Sequence, residues 1–402
     1  MTTDALGEIT APIAPDAFLS EYWGRRAVLM RDPTRRLDRY FGWDALNAVL
    51  NSGDLAYPGT IVSREDRLVD VSEFTAAPDQ RVIDPLAMMR LVRDGASFSV
   101  RNADAVWPPL RALRTGLYDA LFEAVHTNVY FSPASTQGFR CHYDLHEVFV
   151  LQIEGTKHWK VFAPTTDAPV EPWRQEDVPR EDVPPYVDCL LGPGDVLYVP
   201  RGHWHYAVAQ DTHSLHITVG VKTRKGDAFL DWLAPELRSS EVWRRNIPVM
   251  GRGSADGAVP FTPAVQAWAN ELRDTLIARL RDPGLWERFI EDLFAQTSPV
   301  ATVRMPEDAS ATRPDVDQLT FRPPAGQRHL VRPGTNGTTV LKVAGTELAL
   351  EGVDSCVLAR VLAAPAVTLR DLEEWAPQMV RQERVDLLQS LVDAGLLLPG
   401  PL

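Results

Sequence analysis

Cysteine is scarce in this chain of 402 residues: Cys141, Cys189 and Cys356 are the only three, and no two form a C-x-x-C pair. So sparse and odd a set argues against a disulfide framework or a zinc finger, and for a reducing cytoplasm. Long apolar runs are missing too. No stretch approaches the ~18 residues a membrane-spanning helix needs, and the opening MTTDALGEITAP lacks a basic region followed by an apolar one, so neither secretion nor a membrane partner is expected. Positive charge is in deficit: the net charge is −13 and the pI about 5.2. That excludes a global pull toward nucleic acid or anionic lipid, while a basic protein or peptide would be attracted. The chain does have an ordinary soluble balance of 45% hydrophobic and 24% charged residues. Its length calls for two or three domains.

Chemistry-bearing residues concentrate in Asn128–Trp159 and in GPGDVLYVPRGHWH, residues 192–205. In Cys141-His142-Tyr143-Asp144-Leu145-His146 the period of a strand sets His142 and Asp144 on one face, with Cys141 on the other, in the core. Val196–Val199 reads as a buried strand turned sharply by Pro200 and Gly202, which brings His205 in just past its end. Two imidazoles and a carboxylate with positions left open form the ligand set of non-haem Fe(II) oxygenases, where O2 and a cosubstrate must both bind. An H-x-D tripeptide alone is common in soluble chains. Lys157 adds weight, because a lysine in a strand-like run enters a barrel only with an anion for company. Asn128 and Tyr130, two apart on an earlier alternating segment, offer donors to the same anion. 2-Oxoglutarate satisfies all of them.

With those residues in place, the sequence resembles the JmjC/cupin-type 2-oxoglutarate oxygenases, and within them the ribosomal oxygenase branch, whose members hydroxylate ribosomal-protein side chains. The matching residues are NVY at 128–130, QGF at 137–139, HYD at 142–144, FVLQIEG at 149–155, KHW at 157–159, GDVLYVPRGHWH at 194–205 and HSLHITVG at 213–220. The opening segment Phe18–Leu29 is similar to that branch as well. The resemblance implies a double-stranded β-helix (jelly-roll) barrel in an α+β chain. It further implies His142, Asp144 and His205 as Fe(II) ligands, Lys157 on the distal carboxylate of 2-oxoglutarate, and Tyr130, Asn128 and His216 lining the cosubstrate pocket. The family pattern does not make His146 a ligand, which leaves it a partner to a ligand or a substrate contact. Arg201, Trp204 and Tyr206, around His205, are candidate substrate-side residues.

In chain order, residues 1–225 are expected to hold the catalytic barrel and its lead-in, with helices at Pro15–Tyr22, Gly42–Asn51, Pro85–Asp94 and Pro108–Val125. The pairs Arg25-Arg26 and Arg35-Arg36 read as solvated. Ala163–Pro185, with six prolines and many acids, reads as a rim loop beside the site. Residues 226–300 carry helical spacing, as at Trp268, Leu272, Leu276 and Leu280. In the branch it resembles this segment dimerises, so a homodimer is implied; buttressing of the barrel is the other reading. Residues 301–335 read as an extended linker with room for a strand or two. Residues 336–402 order a hairpin, helices and a last strand as a winged helix does. That tail holds five Lys or Arg against nine Asp or Glu, a net of −4, which disfavours DNA.

Three other readings stay open at this level. The same site could hydroxylate a peptide natural product, a free amino acid or a tRNA base; demethylation of methyl-lysine fits the resemblance less well. A cupin isomerase or dioxygenase could use His142, His146, Glu147 and His205 without 2-oxoglutarate, against which Lys157 speaks. A catalytically silent cupin could serve as a binding module.

Overall fold

Glu147–Glu154, EVFVLQIE, holds the continuous apolar run Val148–Leu151 and is buried up to its last residue, which suits a strand covered on both faces. In the computed structural model it is an inner strand of an eight-stranded sheet. The structure describes residues 4–64, 67–76, 81–171, 178–179, 182–249, 262–296, 316–324, 328–334, 337–343 and 346–401. The strands of the first part are β1 (Val28–Met30), β2 (Thr60–Arg64), β3 (Arg67–Leu68), β4 (Ser97–Val100), β5 (Ala124–Ser132), β6 (Glu147–Glu154), β7 (Lys157–Phe162), β8 (Val187–Leu191), β9 (Val196–Val199), β10 (Trp204–Ala209) and β11 (Ser214–Lys222). The large sheet runs β1-β9-β6-β11-β5-β4-β2-β3, and a second sheet runs β10-β7-β8.

The period of two sorts the side chains. Phe149, Leu151 and Ile153 of β6, with Val196 and Tyr198 of β9, enter one large core, together with Phe18, Leu110, Leu113 and Leu117 from the helices Pro15–Glu21 and Pro108–Leu121. Val148 and Val150, Leu197 and Val199 point the other way and meet Trp159, Val161 and Ala207 of the smaller sheet. Each fully buried Val, Leu or Phe here stabilises by roughly 1.5–3 kcal/mol before conformational entropy is counted. Asp84 caps the helix Pro85–Arg93 through its side chain, and Pro85 and Pro108 fit the first turns of their helices. The arginines expected to be solvated are partly structural: Arg36 donates to the Glu8 and Ala11 carbonyls, and Arg35 pairs with Asp38 and Glu154. Part of the expected rim loop, 172–177 and 180–181, lies outside the described residues.

The chain divides into two compact units, 1–223 and 224–402. In the second unit the helices are Asp227–Arg238, Pro263–Leu280 and Leu285–Gln296, followed by Ser355–Ala363, Leu369–Trp375 and Arg381–Asp393. Its strands are β12 (Leu319–Arg322), β13 (His329–Pro333), β14 (Thr338–Val343), β15 (Thr346–Glu351) and β16 (Leu398–Pro401), paired as β12-β16 and β13-β14-β15. Residues 301–315, 325–327 and 335 of the expected linker lie outside the described residues; the rest of it carries β12 and β13. Ion pairs from Arg332 to Glu291 (2.9 Å) and from Lys342 to Asp292 (2.9 Å) tie this sheet to the third helix.

Candidate active site

The three proposed metal ligands converge, by a route the alternation did not foresee. Residues 141–146 form no strand: only His142 bridges, to His205, and β6 begins at Glu147. The segment is held as an arm. The His142 N–H donates to the His205 carbonyl (3.1 Å), the His205 N–H returns the bond (2.8 Å), and the Gly202 N–H donates to the Asp144 carbonyl (2.9 Å). Gly202 has φ of +83°, a backbone state that strains any residue with a Cβ, so the turn ahead of β10 requires glycine. His205 is the second residue of β10 rather than a loop residue past β9.

One ligand atom from each of His142, Asp144 and His205 lies within 4.8 Å of the others, with His205 Nε2 3.7 Å from Asp144 Oδ2. His142 Nδ1 lies 2.8 Å from the Arg140 carbonyl and His205 Nδ1 3.0 Å from that of His203. Protonated there, both rings turn a bare Nε2 toward a metal. Burial, and next the neighbouring His142, push the pKa of His205 below the ordinary value, so it is neutral, as a ligand must be. Cys141 is half-buried, packed against the cluster of Tyr143, Phe162 and Trp204.

A cavity of about 510 Å³ opens from this triad and is lined from both sheets. Deep in it lies Lys157, 4% exposed, its Nζ donating to Ser132 Oγ at 2.9 Å. Burial lowers its pKa to about 7. Among the described residues no carboxylate pairs with it. Beside it His216 is buried with Nδ1 unpartnered, and burial, then Lys157, hold its pKa well below the ordinary value. Tyr130 stacks on His216 (centroids 5.0 Å apart, planes 4°) and makes side-chain hydrogen bonds to Thr218 and Asn128. Asn128 Oδ1 in turn accepts from the Asn102 N–H at 3.0 Å. A buried ammonium with no counter-charge and an orphaned imidazole nitrogen fit a small dicarboxylate, just as the donor set of the triad fits a divalent iron.

The sequence reading stopped short along this wall. In the β5/β11 register Ser214 opposes Ser132, His216 opposes Tyr130, Thr218 opposes Asn128 and Gly220 opposes His126. Asn128, Tyr130 and His216 were legible, yet the same period of two extends to His126, Thr218 and Lys222, all on the cavity. His126 and His146 stand edge to face, 5.1 Å apart, and a Cβ on Gly220 would meet His126 Cε1 at 2.3 Å and His146 Cε1 at 3.0 Å. His146 thus faces His126 and is no member of the triad; its Nδ1 lies 3.1 Å from the Glu147 carbonyl. Tyr206 lines the cavity, whereas Arg201 and Trp204 do not. Trp204 is 3% exposed, donates to Thr165 Oγ1 at 3.0 Å and packs on Tyr143. Arg101 also lines the cavity; it follows β4 in a turn and carried no periodic signal.

Comparison with known proteins bears on the family and the fold. Residues 106–229 match the JmjC domain family. Ribosomal oxygenase 1 of Rattus norvegicus is 32% identical over 294 residues, covering 68% of this chain and 47% of that protein. The bifunctional lysine-specific demethylase and histidyl-hydroxylase NO66 of Drosophila persimilis is 32% identical over 230 residues, covering 56% and 32%. The chain thus spans less than half the length of these curated relatives. Among solved structures, Escherichia coli YcfD aligns over 96% of this chain and 98% of its own, with a TM-score of 0.59 and 16% identity. A structure of that ribosomal oxygenase in complex with cobalt and 2-oxoglutarate aligns with a TM-score of 0.54 and 17% identity, over 96% and 97%. This likeness establishes a JmjC/cupin fold of mixed helices and sheets. In the second unit and elsewhere among the described residues, no helix is long and apolar enough to cross a membrane.

Proposed function

We propose, from the premise that this chain belongs to the ribosomal oxygenase branch of the JmjC family, that it is an Fe(II)- and 2-oxoglutarate-dependent hydroxylase of an amino-acid side chain in a protein. One juxtaposition carries the reading: a two-histidine, one-aspartate cluster opens on the same cavity as a buried lysine that lacks an anion. His142, Asp144 and His205 would hold Fe(II). Lys157 and Tyr130 would bind the distal carboxylate of 2-oxoglutarate, with Asn128 and His216 lining its pocket. With O2, these groups supply oxidative decarboxylation to succinate and CO2 and the hydroxylation of a substrate C–H bond.

The chain's own part is positioning and exclusion of water. Lys157, held by Ser132, presents a charged donor where no water competes, which strengthens the contact. Tyr130, fixed by Asn128 and Thr218 and stacked on His216, turns its hydroxyl to the same carboxylate. The backbone bridge between His142 and His205 fixes two ligands against each other, so geometry is set before the metal arrives. His146 and Tyr206 stand where a substrate side chain would pass.

The names of the relatives favour a ribosomal-protein-like substrate, and the chain's −13 net charge suits a basic partner. For the second unit the reading is a helical segment that dimerises and a winged-helix-like tail that packs against protein rather than DNA. Exposed Leu230, Trp286 and Ile290 support an interface between copies, and the −4 charge of the tail disfavours DNA. A cytoplasmic, reducing setting accords with the three free thiols.

Succinate release from 2-oxoglutarate by purified protein with Fe(II) and air, with and without a ribosomal-protein extract, tests the reading. Turnover in wild type that is lost in His142→Ala and Lys157→Ala, and stimulated by the extract, is the expected result. Absence both of turnover and of 2-oxoglutarate binding to the iron-loaded protein would return the isomerase and binding-module readings.

A further inference from the structure

The cavity holds more positive charge than its cosubstrate needs. Of the side chains lining it, Arg101, Lys157 and Lys222 are cationic and Asp144 alone is a carboxylate. On the reading above, Fe(II) and the 2-oxoglutarate dianion cancel, and Lys157 offsets Asp144. Arg101 and Lys222 are then left over. Both are exposed at the cavity mouth, and neither makes an ion pair or side-chain hydrogen bond among the described residues.

Their placement is built by the same wall that carries the deep residues. Lys222 ends β11 on the face of His216, Thr218 and Gly220, and Arg101 follows β4, which pairs with β5. Between mouth and triad stand His126 and His146, seated on Gly220. His126 has its pKa lowered to about 4 by burial first, then by His146 and Lys222, so it adds no negative charge and at neutral pH no positive one. A cationic side chain passing this mouth would find no free carboxylate, because Asp144 is committed to the metal. An anion would find two unpaired cations and imidazole walls.

We infer that the substrate segment entering this cavity presents a carboxylate, an aspartyl or glutamyl side chain, to Arg101 and Lys222. This rests on the proposed oxygenase reading and narrows its substrate class; the acidic residue is the one that enters the mouth, whatever the charge of the protein around it.

The test uses the full chain, loaded anaerobically with Fe(II) and 2-oxoglutarate, and fluorescently labelled synthetic peptides identical except for a central Asp, Glu, Asn, Arg or Ala. Binding is read by anisotropy in wild type and in Arg101→Gln/Lys222→Gln. The expected result is about three- to tenfold tighter binding of the Asp or Glu peptide than of its Asn and Arg counterparts, with that preference lost in the double variant. Equal binding across the set, none at all, or a preference for Arg overturns the inference. So does a double variant that weakens 2-oxoglutarate in place of peptide, since the mouth cations would then serve the cosubstrate. Failure of 2-oxoglutarate to bind the iron-loaded wild type is a separate outcome, and it removes the oxygenase reading beneath.

Discussion

The two ends of one cavity carry cations from opposite sheets, Lys157 on β7 and Lys222 on β11, under opposite physical regimes. Lys157 at the deep end is 4% exposed and its ammonium has lost its water; Lys222 at the mouth is exposed and keeps it. Removing an ammonium from water without a partner is costly, and the lowered pKa of Lys157 expresses that cost. A site can carry such strain in the ligand-free state when a ligand relieves it. Depth thus decides whether a charge acts as a specific anchor or as a weak, screened attractor.

The largest effect should come from removing the deep charge. Lys157→Ala is expected to weaken 2-oxoglutarate binding on the order of 10²–10³-fold, the loss of a buried charge-assisted contact. Ligand-free stability should not fall with it, because an uncompensated buried cation is removed at the same time. Anaerobic calorimetry with Fe(II) and urea unfolding read the two quantities. A loss under about tenfold would mean that Lys157 is not the carboxylate partner.

Next comes the floor beneath the mouth. A Cβ at Gly220 would lie 2.5 Å from His126 Nε2, so Gly220→Ala should cost about 1–3 kcal/mol by overpacking. Adding His126→Ala removes the two closest contacts and leaves His146 Cε1 at 3.0 Å. The double variant should therefore be more stable than Gly220→Ala alone, a non-additivity that urea midpoints detect. If both variants unfold like wild type, the imidazole pair is not seated on Gly220.

Protonation separates the two ends as well. The folded pKa of Lys157, about 7, lies below its ordinary 10.5, so between these values the unfolded chain binds the proton more tightly. This group's share of ligand-free stability is therefore absent below about pH 7 and grows as pH rises through 7 toward 10.5. A bound dicarboxylate favours the charged form. At about pH 8.5, 2-oxoglutarate binding should then take up about one proton, through Lys157, which calorimetry in buffers of different ionisation enthalpy measures. Lys157→Met should abolish the uptake; if it persists, another group is its source.

Much of this site was legible, because its parts obey short-range rules. Asn128, Tyr130 and His216 lie on real strands, and the period of two puts them on one face. Lys157 was conspicuous as a cation in an apolar run. His142 and Asp144 were found by their residue types rather than by their backbone, since the arm that carries them is shaped by bonds to His205 and Gly202, some sixty residues later. Arg101 and Gly220 were illegible for a related reason. One sits in a turn, the other has no side chain, and each matters only through what the fold brings beside it. In the second unit, β12 has its partner β16 at the far end of the chain, so nothing local in 301–335 marks it as a strand.

The smallest expected effect is also the one that isolates the mouth. The Debye length shrinks from roughly 10 Å at 0.1 M salt to roughly 3 Å at 1 M, and screening acts on charges that face solvent. Arg101 and Lys222 do; Lys157 does not. Raising salt from about 0.05 M to 0.5 M should weaken an Asp- or Glu-centred peptide by about three- to tenfold, while 2-oxoglutarate affinity changes by less than about twofold. The Arg101→Gln/Lys222→Gln protein should show neither the affinity nor its salt dependence. Equal salt slopes for the two ligands would place both on solvated charge, and the contrast between a dry anchor and a wet rim would fail.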